Sequence, residues 1–235
     1  MNLAAEDLMI ELNALENPAD AQFLQRFFKT GKGEYGEGDI FIGLRVPTTR
    51  QICKKYKDLS INELEKLLES PIHEHRLAAM IIMRHQMERA NSVLRKSLYD
   101  MYLRRTDRIN NWDIVDISCH KIVGGYLEDK NRAILYKLVR SKQMWERRIS
   151  IISTAHFISK SDLDDTFKLA VVLLNDKEDL MHKATGWMLR EAGKKDEARL
   201  KEFLDKYASV MPRTMLRYSL EKLHPNDKSH YMKLR

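Results

Sequence analysis

Apolar side chains at helical spacing run through almost the whole of this 235-residue chain, and they restrict the fold more than any other feature. Leu8, Leu12 and Leu15 begin the pattern. Glycine (9) and proline (5) are scarce, which argues against an all-β sandwich and favours long helices with short connections. Asn17-Pro18 and the capping box Ser60–Glu63 are signals for helix starts.

The predicted helices recur at a regular interval. About a dozen are expected at a spacing of about 18 residues, which corresponds to helix pairs at about 36 to 40 residues, the period of HEAT-like repeats. Stacked helix pairs of this kind build a superhelical solenoid with a concave face. We therefore predict an all-α fold of HEAT-like repeats, formed as a single domain by residues 1–235.

One stretch departs from the helical pattern. Residues 31–43 hold five of the nine glycines, and Ile40-Phe41-Ile42 is the only short β-like run in the chain. We predict an inserted loop or small β-hairpin here. Its Gly-x-Gly pattern is weak support for phosphate binding, because no strand-then-helix unit surrounds it. Two interpretations stay open: a structural loop, or a wedge that reaches towards a partner.

The charge of the chain suggests what it binds. The formal net charge is +7 and the pI is about 9.3, which favours a polyanionic partner, nucleic acid first and an acidic membrane surface second, over a basic surface that binds neither. No apolar run is long enough for a membrane span, and Met1–Ile10 has no basic leader region, so we expect a cytoplasmic protein. Cys53 and Cys119 are too few for a disulfide framework or a four-cysteine zinc site and are predicted to be buried thiols.

The most unusual motif is Asn111-Trp112-Asp113-Ile114-Val115-Asp116. On a helix, Trp112 and Asp116 are four residues apart and share one face, where neither a core nor an ordinary surface would favour this pair. Trp112, Arg148 and Trp187 are separated by 36 and then 39 residues, about one repeat each. Residues one repeat apart take equivalent positions in a solenoid, so we predict that these three lie side by side on the concave face.

Basic residues cluster around these positions. Arg147, Lys183 and Arg190 lie next to Arg148 and Trp187 in the sequence, and such a series is suited to tracking the phosphates of a duplex. His73-Glu74-His75 is a tight group of potential metal ligands, but it lacks the i, i+4 histidine spacing of zinc hydrolases, so we expect no metal site.

Four stretches together carry a family resemblance: NWDIVD (111–116), WERR (145–148), KATGWMLRE (183–191) and FIGLRVPTTR (41–50). With them the chain resembles the AlkD-like family of DNA alkylation repair proteins, which are HEAT-like repeat DNA glycosylases, over nearly its whole length. The resemblance implies hydrolysis of the N-glycosidic bond of N3- and N7-alkylated purines. It also implies that Trp112 and Trp187 line the lesion cleft, that Asp116 is the catalytic carboxylate and that Arg148 holds the DNA backbone.

The implied chemistry suits these residues. A cationic alkylpurine is a good leaving group, so a carboxylate that stabilises the developing oxocarbenium ion and orients a water suffices. Tryptophan faces attract a neighbouring cation. The expected partner is double-stranded DNA, alkylated or branched, with no cofactor and no membrane, and the expected protein is a monomer associated with the nucleoid.

The chain also differs from the family's active member, and the differences keep an alternative open. Where this chain has Asn111-Trp112, that member has a Trp-Trp pair. It has a cleft-lining Tyr in place of Phe27 and a Gln in place of Arg45. We expect Arg45 of this chain to contact DNA. A hairpin-bearing branch of the family binds branched or distorted DNA, and the 31–43 insertion favours a non-catalytic protein of that kind. A HEAT-type scaffold for protein partners is the third possibility, with an apolar or peptide-binding groove.

Overall fold

The computed structural model describes residues 4–234, and within them the chain is all-α, as the sequence predicts. It divides into two compact units, the first ending at Ile122 and the second beginning at Val123. The single domain predicted for residues 1–235 stays a prediction.

The described part of the first unit contains seven α-helices, and the longest of them lies at its centre. Its helices are α1 (Ala5–Asn13), α2 (Pro18–Phe27), α3 (Val46–Cys53), α4 (Ile61–Glu69), α5 (His73–Arg89), α6 (Ser92–Arg104) and α7 (Trp112–Cys119). A π-helical turn, His120–Gly124, follows α7. Both predicted start signals are confirmed: the Asn17 side chain accepts a hydrogen bond from Asp20 N at 3.2 Å, and Ser60 Oγ accepts one from Glu63 N at 3.3 Å.

The second unit continues the helical pattern. Its helices are α8 (Ala133–Leu138), α9 (Met144–Ser153), α10 (Ala155–Ser159), α11 (Asp164–Val172), α12 (Asp179–Gly193), α13 (Glu197–Tyr207), α14 (Arg213–Ser219) and α15 (Pro225–Lys233). Helix α12 packs against α9, α11, α13 and α14, so it forms the centre of this unit.

Side chains about one repeat apart touch in both units, which fits a helical repeat. In the first unit, Arg104 Nη2 lies 2.9 Å from Glu65 Oε2, 39 residues away. In the second, Arg199 Nη2 lies 2.5 Å from Asp164 Oδ1, 35 residues away. The period read from the sequence therefore corresponds to real neighbours in space.

The glycine-rich insertion is a loop. Turns occupy most of residues 31–38, and within the described chain the isolated β-bridge is the parallel pair Ile40–Ile72, so the loop alternative holds and the hairpin does not. Its second half enters the protein, where Asp39 and Phe41 are 4% and 5% exposed. Gly43 has a φ of +89°, and a Cβ there would stand 2.1 Å from the Asn17 carbonyl oxygen, so only glycine fits.

Cys53 and Cys119 are both buried free thiols, as predicted. Among residues 4–234, no helix combines the length and the apolar character needed to cross a lipid bilayer.

Candidate active site

Trp112 and Asp116 meet at one cleft of the first unit. Trp112 opens α7 and Asp116 follows one turn later, and both half-buried side chains line a cleft of about 360 Å³ together with Phe27 and Arg45. Asn111 begins the helix, because its Oδ1 accepts a hydrogen bond from Trp112 N at 2.8 Å. The shared face expected from the four-residue spacing is therefore concave.

Aromatic rings form the floor of this cleft. Trp112 stacks on Phe28 with ring centroids 5.0 Å apart and an interplanar angle of 17°. Phe28 stacks in turn on Phe41 at 4.9 Å, and Phe41 on the His73 imidazole at 4.4 Å. Phe27 meets Trp112 edge to face at 6.0 Å and is 53% exposed at the rim. The indole is thus held by a stacked ring on one side and by an edge contact at the rim.

A buried ionic network lies behind the rings. His73 is 1% exposed, with Nδ1 3.1 Å from Asp39 Oδ2 and Nε2 2.9 Å from Asp113 Oδ2. Arg76 Nη2 pairs with Asp39 Oδ1, and Asn111 Nδ2 donates to Asp39 Oδ2 at 3.0 Å. The network joins the glycine-rich loop, the start of α5 and the start of α7.

The protonation states follow from these contacts. Burial disfavours the His73 imidazolium, but the charge and hydrogen bond of Asp113, with those of Asp39, outweigh it and raise the pKa of His73 to about 9. Burial also disfavours ionised Asp39, yet the hydrogen bond from His73 and the charge of Arg76 outweigh this and lower the pKa of Asp39. The pair of His73 and Asp39 is therefore ionic at neutral pH.

Glu74 and His75 have different partners from His73. The Glu74 carboxylate accepts hydrogen bonds from the backbone N–H groups of residues 42–44, with Gly43 N at 2.9 Å. His75 lies 2.8 Å from Ser70 Oγ and 3.0 Å from Asn13 Oδ1, and burial, followed by the charge of Arg76, lowers its pKa to about 4. Across residues 4–234 no group of three His, Cys, Asp or Glu side chains is arranged to hold a metal ion.

Arg45 stands at the mouth of the cleft. Its guanidinium pairs with Asp20 and lies 5.2 Å from the centre of the Phe23 ring. The side chain is 53% exposed, so it is open to a partner even though its charge is already compensated.

The remaining predicted site residues belong to the second unit, and most of them form ion pairs or hydrogen bonds within it. Arg148 is 5% exposed and its Nη1 donates to the Leu180 carbonyl at 2.6 Å. Arg147 forms a two-pronged ion pair with Asp176 at 2.6 and 3.2 Å. Lys183 pairs with Asp179 at 2.8 Å, Arg190 pairs with Glu191 and Glu221, and Trp187 is half-buried on α12. The common face predicted for Trp112, Arg148 and Trp187 stays a prediction.

The structure also contains a basic groove that the sequence analysis missed. It has a volume of about 590 Å³ and adjoins the cleft of Trp112, because Arg50 and Ile117 line both. Its cationic lining consists of Arg50, Lys54, Lys57, Arg84 and Arg89. The carboxylate among its lining residues, Glu88, pairs with Lys121 at 3.6 Å. The spacing of residues 50, 54 and 57 on one side of a helical segment was the signal available in the sequence.

Comparison with known proteins agrees with this architecture. The family model of a DNA alkylation repair enzyme matches residues 8–223. The chain belongs to the DNA alkylation repair enzyme family. A solved structure described as a predicted DNA alkylation repair enzyme from Enterococcus faecalis is similar to this chain with a TM-score of 0.68 and 17% identity, covering 89% of this chain and 97% of the other. A search of the curated proteins finds no match.

Membership of this DNA alkylation repair family supports a role in DNA repair, with DNA as the substrate. The structural similarity, at 17% identity, supports the helical fold. The family name describes enzymes.

Proposed function

We propose that this protein binds duplex DNA and hydrolyses the N-glycosidic bond of N3- and N7-alkylated purines at the cleft of Trp112 and Asp116. One observation supports this above all: a carboxylate and a large aromatic ring, one helical turn apart, line the same cleft of about 360 Å³. Asp116 stabilises the oxocarbenium character of the deoxyribose and orients the attacking water. Trp112 faces the cationic base, which its ring quadrupole attracts.

The basic groove supplies the electrostatic part of this proposal. Phosphate contacts position DNA without reading its sequence, and they require cations that are accessible to the backbone. Arg50, Lys54 and Arg84 line the groove that adjoins the cleft. A strand whose phosphates follow this groove brings a sugar to Asp116.

The decisive experiment measures release of 7-methylguanine and 3-methyladenine from methylated duplex DNA. We expect release by the wild-type protein and a decrease of at least about 100-fold in the single-turnover rate of Asp116→Asn, the size expected when an electrostatic stabiliser is removed. DNA affinity should stay within a few-fold of the wild type. Asp100→Asn is the matched control, because Asp100 lies on α6, pairs with Lys96 and does not line the cleft. Equal release by Asp116→Asn and wild type would contradict the proposed role.

A second candidate is the recognition of branched or distorted DNA without catalysis, and one observation favours it. Phe23 and Phe27 are 45% and 53% exposed and stack at 6.0 Å, so the aromatic series continues from Trp112 out to the surface. Exposed rings of this kind stack on unpaired bases. Phe23→Ala with Phe27→Ala should then weaken binding to a four-way junction about tenfold and leave duplex binding unchanged.

The outcomes separate the candidates. Junction binding without base release would replace the glycosylase with the structure-specific binder, and absence of any salt-dependent DNA binding would contradict both and favour the protein-interaction scaffold. The test uses point variants because deletion of the glycine-rich loop would remove Asp39 and Phe41, which are buried parts of the network and the ring stack.

A further inference from the structure

His73 is the least expected residue of the first unit, because it is a buried histidine with a carboxylate at each ring nitrogen. The two distances are 3.1 Å to Asp39 and 2.9 Å to Asp113. A neutral imidazole donates through one nitrogen only, whereas an imidazolium donates through both. Two carboxylate acceptors therefore call for the charged ring, and a raised pKa of about 9 for His73 agrees with this geometry.

The carboxylates that His73 joins come from two different parts of the first unit. Asp39 belongs to the glycine-rich loop, and Asp113 is the second residue of α7, directly after Trp112. Each has further hydrogen bonds: Asp39 accepts from Arg76 and Asn111, and Asp113 Oδ1 accepts from Ile114 N at 2.8 Å. The loop, α5 and α7 are thereby fixed to one another at a single buried point.

Trp112 is held from two directions as a result. Its backbone lies between Asn111 and Asp113, both of which take part in the network. Its ring rests on Phe28, which rests on Phe41, which stacks on the His73 ring itself. Movement of His73 would disturb the helix start and the ring stack together.

We propose that His73 is a positioning residue, whose charged ring, clamped between Asp39 and Asp113, fixes the start of α7 and so sets the Trp112 ring and the Asp116 carboxylate at the cleft. That Trp112 and Asp116 act on DNA from this position rests on the proposed function. The contacts of His73 with Asp39 and Asp113 do not depend on it. Among the described residues, the charged groups that face His73 are Asp39 from the loop and Asp113 from α7, and Arg76, one turn further along α5, pairs with the same Asp39.

His75 provides a matched control on the same helix. It is 2% exposed against 1% for His73, and its partners, Ser70 and Asn13, lie outside the cleft lining. The variants to compare are His73→Gln and His75→Gln, in a background of Trp145→Phe and Trp187→Phe that leaves Trp112 as the fluorophore. Urea unfolding establishes that each variant is folded.

The readout is the emission and acrylamide quenching of Trp112 between pH 6 and pH 10. In the parent protein, the emission and quenching of Trp112 should change with a midpoint near pH 9, where the His73 ring loses its charge. Because the pKa of His73 is raised in the folded state, the charged ring stabilises that state fully below pH 6.5. This contribution is lost as the pH rises through the folded-state pKa. His75→Gln should keep this profile. His73→Gln should lack the transition and show at least twofold stronger quenching at pH 7.

Asp113→Asn keeps the proposal falsifiable if His73→Gln does not fold. Removing one of the two carboxylates weakens the preference for the charged ring, so the midpoint should move to lower pH. An unchanged midpoint in Asp113→Asn, or matching Trp112 profiles in His73→Gln and His75→Gln, would overturn the proposal. Base release by His73→Gln should also fall at least tenfold. If even the wild type releases no base, the proposed function fails while the fluorescence comparison still decides the role of His73.

Discussion

The two segments that carry the sequence motifs use their charged side chains in opposite ways. In residues 110–116, Asn111 and Asp113 turn into a buried network while Trp112 and Asp116 line an open cleft. In residues 145–148, the aromatic ring and both arginines turn inward: Trp145 is 9% exposed, Arg147 pairs with Asp176 and Arg148 donates to a backbone carbonyl. Equivalent placement along the sequence therefore does not give equivalent access to a ligand.

Arg147→Ala should produce the largest loss of stability. A small loss would contradict the inward, structural role of the 145–148 segment. The Asp176 carboxylate is only 4% exposed, and removal of its partner leaves a buried charge uncompensated. We expect the free energy of unfolding to fall by about 3 kcal/mol in urea denaturation, with little change in the salt dependence of DNA binding.

Arg140→Ala is the control for this change, because that exposed arginine donates to the carbonyl of Tyr136, four residues before it. Its effect on the free energy of unfolding should stay within about 0.5 kcal/mol. If Arg147→Ala kept full stability but lowered the salt dependence of DNA binding, it would have lost a phosphate contact. The 145–148 segment would then belong to the DNA interface.

Asn111→Ala should have an intermediate effect on stability, and it tests how much the buried contacts of the 110–116 segment contribute. The side chain both caps α7 and donates to Asp39, so its removal costs a helix cap and a buried hydrogen bond, about 2 kcal/mol together in the free energy of unfolding. Asn91→Ala removes an exposed asparagine cap of α6, bonded to Leu94 N at 2.9 Å, and should cost about 1 kcal/mol. Equal losses in the two variants would mean that the bond to Asp39 contributes nothing.

Arg50→Ala should have the smallest effect on stability and a measurable one on binding. Arg50 is exposed where the basic groove meets the cleft, so its loss should lower the slope of log K against log salt concentration by about one. Arg190→Ala should change this slope less, because Arg190 already pairs with Glu191 at 3.1 Å and with Glu221. A larger change for Arg190 would reverse the ranking of the two units as DNA contacts.

Periodicity was sufficient to predict the helices and the cleft pair, because both depend on residues within a few turns of each other. Leu64, Leu67 and Leu68 are fully buried on α4, as their spacing suggests, and Trp112 and Asp116 line the same cleft. The resemblance to DNA alkylation repair proteins is confirmed by the family match.

The ionic network could not be predicted in this way. His73 meets Asp39 and Asp113 across 34 and 40 residues, and nothing in the local pattern selects those carboxylates from the others. The charged run His73–Arg76 at the start of an apolar helix was the available signal, but a run of charges usually marks a solvated surface. Ion pairing also determines which arginines are available to a ligand. It depends on which carboxylates the fold brings near each arginine.

The burial of Cys53 has a consequence for chemical durability. Cys53 lines the basic groove yet is only 3% exposed, and burial raises the pKa of its thiol to about 12. At pH 7 the group is therefore held as the thiol, and the thiolate is the form that attacks electrophiles. Agents that alkylate DNA are electrophiles that also react with thiolates. In this member of a DNA alkylation repair family, the thiol at the wall of the groove is kept in the form that reacts with them most slowly.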